Sequence, residues 1–290
     1  MSCDSPADLT AEYYQRRHMS YLGYPYTLGG ADYIDDLGAT VPYKKLFEDM
    51  ASGADTKTAQ PNMEDYKAYF RPFLEQGQDV LHVCLSSGLT GVMTSANLAK
   101  EALLEEFPER RIFLVDSLGA SRGFGLLMDK LADLRDDGAD IESVYNWAEE
   151  HKLNVHHWFY STDLTYYVRG GRITKSEGWF GTVLNICPLM DMDSTGHLVP
   201  RKKCRGKNAV MKEIVKMMVE NAEGGRDYCE KVFMNNANCP EEARQVAAMV
   251  EAAFPKMNGK VQLESIGPII GSHTGPGTVA LFFFGKKREG

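Results

Sequence analysis

No apolar run in this 290-residue chain approaches the roughly 20 residues that a membrane-spanning helix needs. Nor is there a C-x-x-C pair: Cys3, Cys84, Cys187, Cys204, Cys229 and Cys239 are widely scattered. The first absence argues against a transmembrane segment. The second gives no support to a zinc site or a dithiol redox motif, and reduced thiols in a cytosolic protein are the simplest expectation. Met1 to Pro6 is neither basic nor apolar, unlike a signal peptide. Basic side chains are in the minority, 32 against 40 acidic ones, and the net charge of −8 argues against a nucleic-acid surface. There is no G-x-x-x-x-G-K-[ST] loop and no G-x-S-x-G elbow. Gly123-x-Gly125 follows Asp116-Ser117, but Met128 stands where a dinucleotide fingerprint needs its third glycine. Adjacent His156 and His157 face opposite ways on a strand, so they do not suit a shared metal.

Hydrophobic residues make up 43% of the chain, enough for a substantial core, and the length suggests two lobes. The first half alternates strand and helix patterns. Helical spacing runs over Asp65–Gln76, Val92–Phe107, Phe124–Leu134 and Ile141–His151, and short apolar runs at Val80–Leu85 and Arg111–Asp116 read as strands. This order predicts an α/β fold with a parallel sheet covered by helices, assigned to residues 1–154. In residues 155–290 an α+β lobe is expected. His156–Ser161, Lys231–Asn235, Val261–Ile270 and Thr278–Phe284 read as strands, Asn208–Asn221 and Pro240–Phe254 as helices. Thr182–Met190 is apolar but holds Pro188, and Gly196 marks a hairpin turn between Met192 and Val199.

Four polar segments are candidates for holding an anion. Ser86-Ser87-Gly88-Leu89-Thr90-Gly91 lies between a strand and a helix, where unpaired N–H groups and the helix dipole favour negative charge. A serine that merely caps the helix is the slightly favoured alternative. Gly271-Ser272-His273-Thr274-Gly275-Pro276-Gly277 predicts a fixed, exposed turn with a histidine at its middle; a solvated histidine and an anion donor are equally supported. Arg169-Gly170-Gly171-Arg172 is either an anion-facing loop or a charged turn. Arg201 to Lys207 is a basic run that suits a solvated face, an acidic partner or a phosphate. By composition, Thr58-Ala59-Gln60-Pro61 is only a turn leading into a helix.

Taken in order, these segments resemble the DegV family. Asp4-Ser5-Pro6-Ala7-Asp8-Leu9 is similar to its opening D-S-x-x-D-L, and Thr58-Ala59-Gln60-Pro61 to its T-S-Q-P. Ser86 to Gly91 resembles S-S-x-L-S-G, with Asp116-Ser117 as the following D-S. Gly170-Gly171-Arg172-Ile173 matches G-G-R-I, Arg205-Gly206 resembles R-G, and Gly271 to Gly277 resembles G-x-H-x-G-P-G. Ala59 and Thr90 stand where the family has serines. The resemblance implies two lobes enclosing one long-chain fatty acid. Its carboxylate would be held by Thr58, by Ser86 or Ser87, and by His273 with Thr274. Arg172 and Arg205 would face the head group or a docking partner. That partner would be a fatty acid kinase catalytic subunit making an acyl phosphate for phospholipid synthesis. No cofactor, metal or catalytic residue is implied beyond the bound lipid, and the protein is expected to be cytoplasmic.

The chemistry is coherent. Each buried methylene contributes roughly 0.8 kcal/mol, so the tail supplies most of the binding, while an unpaired buried carboxylate is costly. Hydroxyls, an imidazole and loop amides satisfy the carboxylate without requiring a buried counter-charge. Two other readings stay open: an acyl hydrolase pairing Ser87 with His273, and an interaction module using the basic run.

Overall fold

The computed structural model describes residues 1–173 and 185–289. Its strands are β1 (Ser2–Asp4), β2 (Ser20–Leu22), β3 (Pro25–Leu28), β4 (Ala31–Ile34), β5 (Thr56–Thr58), β6 (Val80–Cys84), β7 (Ile112–Asp116), β8 (Val155–Tyr160), β9 (Ile186–Met192), β10 (Leu198–Arg205), β11 (Phe233–Asn236), β12 (Gln262–Ser265) and β13 (Val279–Phe284). Its α-helices are α1 (Ala11–Arg16), α2 (Tyr43–Ala51), α3 (Met63–Glu75), α4 (Val92–Glu106), α5 (Arg122–Asp136), α6 (Ile141–His151), α7 (Thr165–Arg169), α8 (Lys207–Asn221), α9 (Pro240–Ala253) and α10 (Pro268–Thr274).

Three sheets organise the chain. The first, in the order β2-β1-β6-β7, is parallel throughout. All five residues of β6 are buried, which fits the mostly apolar run Val80–Cys84: a central parallel strand is covered on both faces. Around it, α3 starts at a capping box in which Asn62 accepts from the Glu64 and Asp65 amides while Asp65 accepts from the Asn62 amide. The second sheet runs β10-β9-β8-β13-β11-β12, antiparallel except for the β11–β12 pair. Pro188 lies inside β9, whose recorded pairing with β8 is confined to Met190 and Leu189. A proline offers no N–H to a sheet ladder. The third sheet, β4-β3-β5, comes from residues 25–58, for which the sequence suggested no strand.

The mixed α/β architecture with a parallel sheet is therefore as expected. The first and third sheets draw on residues before 155 and the second on residues after it. Helix α5 does not follow that partition: it packs against β8, β11 and β13 of the second sheet and against Ser5–Ala7 beside β1. Gly125 permits that approach, since a Cβ there would lie 2.7 Å from the Ala7 carbonyl oxygen. The hairpin at Gly196 forms between β9 and β10. The run expected as a strand over Val261–Ile270 divides, because Pro268 opens α10. Of the apolar run from Thr182, residues 182–184 lie outside the described residues.

Two buried carboxylates hold the strand ends. Asp4 Oδ1 accepts from the Tyr66 hydroxyl at 2.9 Å and lies 3.0 Å from His82 Nε2. Asp4 Oδ2 accepts from the Tyr24 hydroxyl and the Leu85 amide, both at 2.8 Å. The neighbouring Cys84 brings a third metal-ligating group, but both Asp4 oxygens are already engaged by the protein's own groups. Asp8 accepts from Ser121 Oγ at 2.5 Å and from the Gly267 amide at 3.1 Å. Burial, reinforced by the nearby charge of Asp35, pushes its carboxyl up to about 8 against the opposing pull of the Ser121 hydrogen bond.

A carboxyl whose folded pKa lies above its unfolded value takes up a proton on folding. Its contribution to stability is complete at low pH and is lost as pH rises toward the folded pKa. We expect wild-type stability to fall between pH 6.5 and 8 relative to Asp8→Asn. Urea midpoints of both proteins across that range check this, and parallel pH profiles would contradict it.

Candidate functional site

A cavity of about 310 Å³ lies where the second sheet meets α10 and the loops after β5 and β6. Side chains alternate along a strand, so His157 and Phe159 of β8 share one face with Ala280 and Phe282 of β13, and all four line the cavity. Register pairs Phe159 with Ala280 and His157 with Phe282. Helix α10 adds Ile269, Ile270, His273 and Thr274, at helical spacing on one side. Met192 and Leu198 close the cavity from the β9–β10 hairpin.

The lining is mostly apolar, and several polar groups converge through mutual contacts. Thr58 Oγ1 lies 2.7 Å from His273 Nε2 across a sequence separation of 215 residues. Thr90 Oγ1 donates to Gln60 Oε1 at 2.7 Å, and the Gly91 amide donates to the same oxygen at 2.9 Å. Arg172 lines the cavity beside them and is held by the Gly170 and Leu89 carbonyls. Gly170 is required here, because a Cβ at that position would lie 2.4 Å from His273 Nδ1.

The tautomer of His273 follows from its surroundings. Nδ1 is buried and has no partner among the described residues. A proton there would be a buried orphan donor, costing about 1–3 kcal/mol, so the proton belongs on Nε2 and is donated to Thr58 Oγ1. The Thr58 hydroxyl proton is then free for a ligand. Burial, and next the positive charge of Arg172, push the imidazole down to about 4. His273 is thus neutral near pH 7, and Arg172 is the charged group beside it. Arg172, expected to face the head group or a docking partner, thus places a cation at the cavity. Burial lowers the Arg172 pKa as well.

The sequence-based candidates separate at this point. Thr58, His273, Thr274 and Arg172 all line the cavity. Ser86 and Ser87 do not, which revises that part of the expectation. Ser86 Oγ faces the hairpin, donating to the Gly196 carbonyl at 2.9 Å and accepting from the Gly88 amide at 3.1 Å. Ser87 is exposed, and its amide bonds Asp116. Neither serine caps α4, whose N-cap is Gly91, and no hydrogen bond links Ser87 to His273. The segment 271–277 is not the exposed turn expected. Residues 271–274 end α10, and Gly271 is packed so that a Cβ would meet the Phe47 ring at 2.8 Å. Arg205 is exposed at the end of β10, outside the cavity lining. Sequence reasoning missed Gln60 and Thr90 as site residues. Thr90 appeared within the anion-holding loop and as a family substitution, without a role of its own, and Gln60 only as part of a turn.

A family model described as "uncharacterised protein, DegV family" matches residues 2–286. The chain belongs to the DegV family. A DegV domain-containing protein of Clostridium perfringens is 30% identical over 286 residues, covering 99% of this chain and 97% of that protein. Among solved structures, a fatty-acid-binding DegV family protein from Thermus thermophilus superposes with a TM-score of 0.85 at 26% identity, covering 98% of each chain. The fatty acid kinase B3 protein of Streptococcus pneumoniae, loaded with linoleic acid, shares the fold with a TM-score of 0.82 at 22% identity, again covering 98% of each. Among the described residues of this DegV chain, no helix is long and apolar enough to cross a membrane.

Because Ser86 braces the hairpin against the loop after β6, Ser86→Ala leaves the Gly88 amide and the Gly196 carbonyl without that partner. Destabilisation of about 1–3 kcal/mol is expected. Chemical denaturation measures it; an unchanged midpoint would remove the bracing role.

Proposed function

We propose that this DegV family protein is a carrier that binds one long-chain fatty acid in the cavity, with its carboxylate at the Thr58–His273 pair. The observation that carries this reading is the contrast within one cavity. Apolar side chains of β8, β13 and α10 line most of it, and a free hydroxyl donor, a neutral imidazole and a guanidinium meet at its polar part. Tail burial provides affinity, and the polar groups offset the loss of water around the carboxylate. The Thr58 hydroxyl donates directly, with His273 fixing its orientation from behind. Arg172 supplies the counter-charge, and Thr274 Oγ1, buried without a partner among the described residues, is a further hydroxyl of the lining. Helix α4 begins next to Thr90 and Gly91, so its positive end also favours an anion there. The fatty-acid ligands of the Thermus and Streptococcus relatives support the same assignment.

In this reading the protein performs no chemistry of its own. It presents the carboxylate to a separate kinase subunit, which makes the acyl phosphate for phospholipid synthesis. The partly buried, cavity-lining position of Arg172 suits a phosphorylated head group. Arg205, exposed at the end of β10, suits the partner's docking surface. The motif resemblance and the name of the Streptococcus protein support this part.

Extraction of the purified protein into organic solvent should release about one fatty acid per chain by mass spectrometry. A protein that yields none and fails to take up added fatty acid would sink the proposal. Thr58→Val, which keeps the shape but removes the donor, should weaken binding by about 10-fold or more, as expected for a hydrogen bond to a charged group. Arg205→Glu should abolish kinase-dependent phosphorylation of the bound lipid while direct titration shows fatty-acid affinity intact; equal phosphorylation of both proteins would argue against the docking role.

A further inference from the structure

Gln60 is exposed and lines the cavity two residues beyond Thr58, yet it makes no use of half of its side-chain amide. Its orientation is not ambiguous. The Gly91 backbone N–H, a donor only, lies 2.9 Å from one end of the amide, and the Thr90 hydroxyl donates to the same end at 2.7 Å. That end must be the carbonyl oxygen, because an –NH2 group there would face a donor. The other end is then Nε2 with two protons, and among the described residues nothing accepts from it.

We infer that Gln60 is a specificity-determining residue that donates from Nε2 to the ligand's anionic head group, its carbonyl being anchored by Thr90 and Gly91. The inference rests on the fatty-acid reading above and extends it from the Thr58–His273 pair to the facing loop. A buried or half-buried carboxylate has about four lone-pair positions to satisfy. Thr58 supplies one donor and Arg172 others, and Thr90 has its proton committed to Gln60. A correctly oriented primary amide fills the side of the head group nearest α4. It also favours an ionised oxygen, which only accepts, over a hydroxyl, which also needs an acceptor of its own.

Gln60→Glu separates this role from simple bracing. A glutamate keeps an oxygen for the Thr90 hydroxyl and the Gly91 amide, so the loop stays anchored, but it replaces the free donor with a negative charge. Equilibrium binding of radiolabelled palmitate and radiolabelled 1-hexadecanol to the delipidated full chain at pH 8 provides the readout, with thermal melting to verify folding. The expected result is a loss of palmitate affinity of at least about 10-fold, with 1-hexadecanol affinity within about 3-fold of wild type, a change under about 1 kcal/mol. Gln60→Ala, which removes the donor without adding charge, should weaken palmitate to a smaller degree. Palmitate binding by a folded Gln60→Glu variant at wild-type strength would overturn the inference. So would an equal loss of both ligands, which would mark Gln60 as a brace only; if Gln60→Glu does not fold, Gln60→Ala binding palmitate at wild-type strength is the overturning result. A wild-type protein that binds neither ligand would overturn the fatty-acid reading itself, and this inference with it.

Discussion

The hydrogen bond between Thr58 and His273 governs the site, because it joins the end of β5 to the end of α10 across 215 residues of sequence. It sets the direction of both groups. The imidazole, neutral through burial, gives its one proton to the threonine, and the threonine's own proton is left to face the cavity. The contact exists only because Gly170 has no side chain to displace His273. The same segment carries Arg172 to the cavity, so the residues that fix the histidine and the residue that supplies charge come from one short turn. The remaining walls need only be apolar and well packed.

That arrangement requires two walls held at a fixed separation, and two acidic residues near the N-terminus do this from beneath. Asp4 receives the Leu85 amide, tying the end of β6 and the loop carrying Leu89 and Thr90 to β1. Asp8 receives the Gly267 amide immediately before α10, tying the helix that carries His273 to the same stretch of chain. Ser121, at the start of α5, donates to Asp8 and also lines the cavity. Buried carboxylates are tolerated only when their oxygens are satisfied; here satisfying them orients the site. The opening D-S-x-x-D-L motif, which in sequence serves only as a family marker, thus has a mechanical meaning.

The buried histidines fit the same economy of charge. His156 is pushed down to about 4 and His157 well below its ordinary range, in both cases mainly by burial. His156 bonds the Lys286 carbonyl and His157 the Val155 carbonyl, on opposite faces of β8. The two are neutral packing elements of the strand, and His157 forms part of the apolar wall beside Phe282. Among the described residues that line the cavity, Arg172 is the one with a charged side chain.

Much of the fold was legible in the sequence because it is written in local periodicity. The apolar runs of β6, β7, β8 and β13, the spacing of α3, α4, α6, α8 and α9, and the turn at Gly196 are properties of contiguous residues. The short strands β2 to β4 were not legible, since three or four residues carry too little pattern and gain their stability from partners elsewhere. Segment 271–277 was only half legible: its glycines do make a turn at 276–277, but residues 271–274 end a helix whose Gly271 packs against Phe47. Motif order by itself determined the family and singled out Thr58 and His273, and local periodicity determined the α/β class. Only the tertiary structure decided that Ser86 and Ser87 fall outside the cavity lining while Gln60 and Thr90 belong to it. A hydroxyl's direction depends on which distant backbone groups compete for it, and no local sequence pattern encodes that competition.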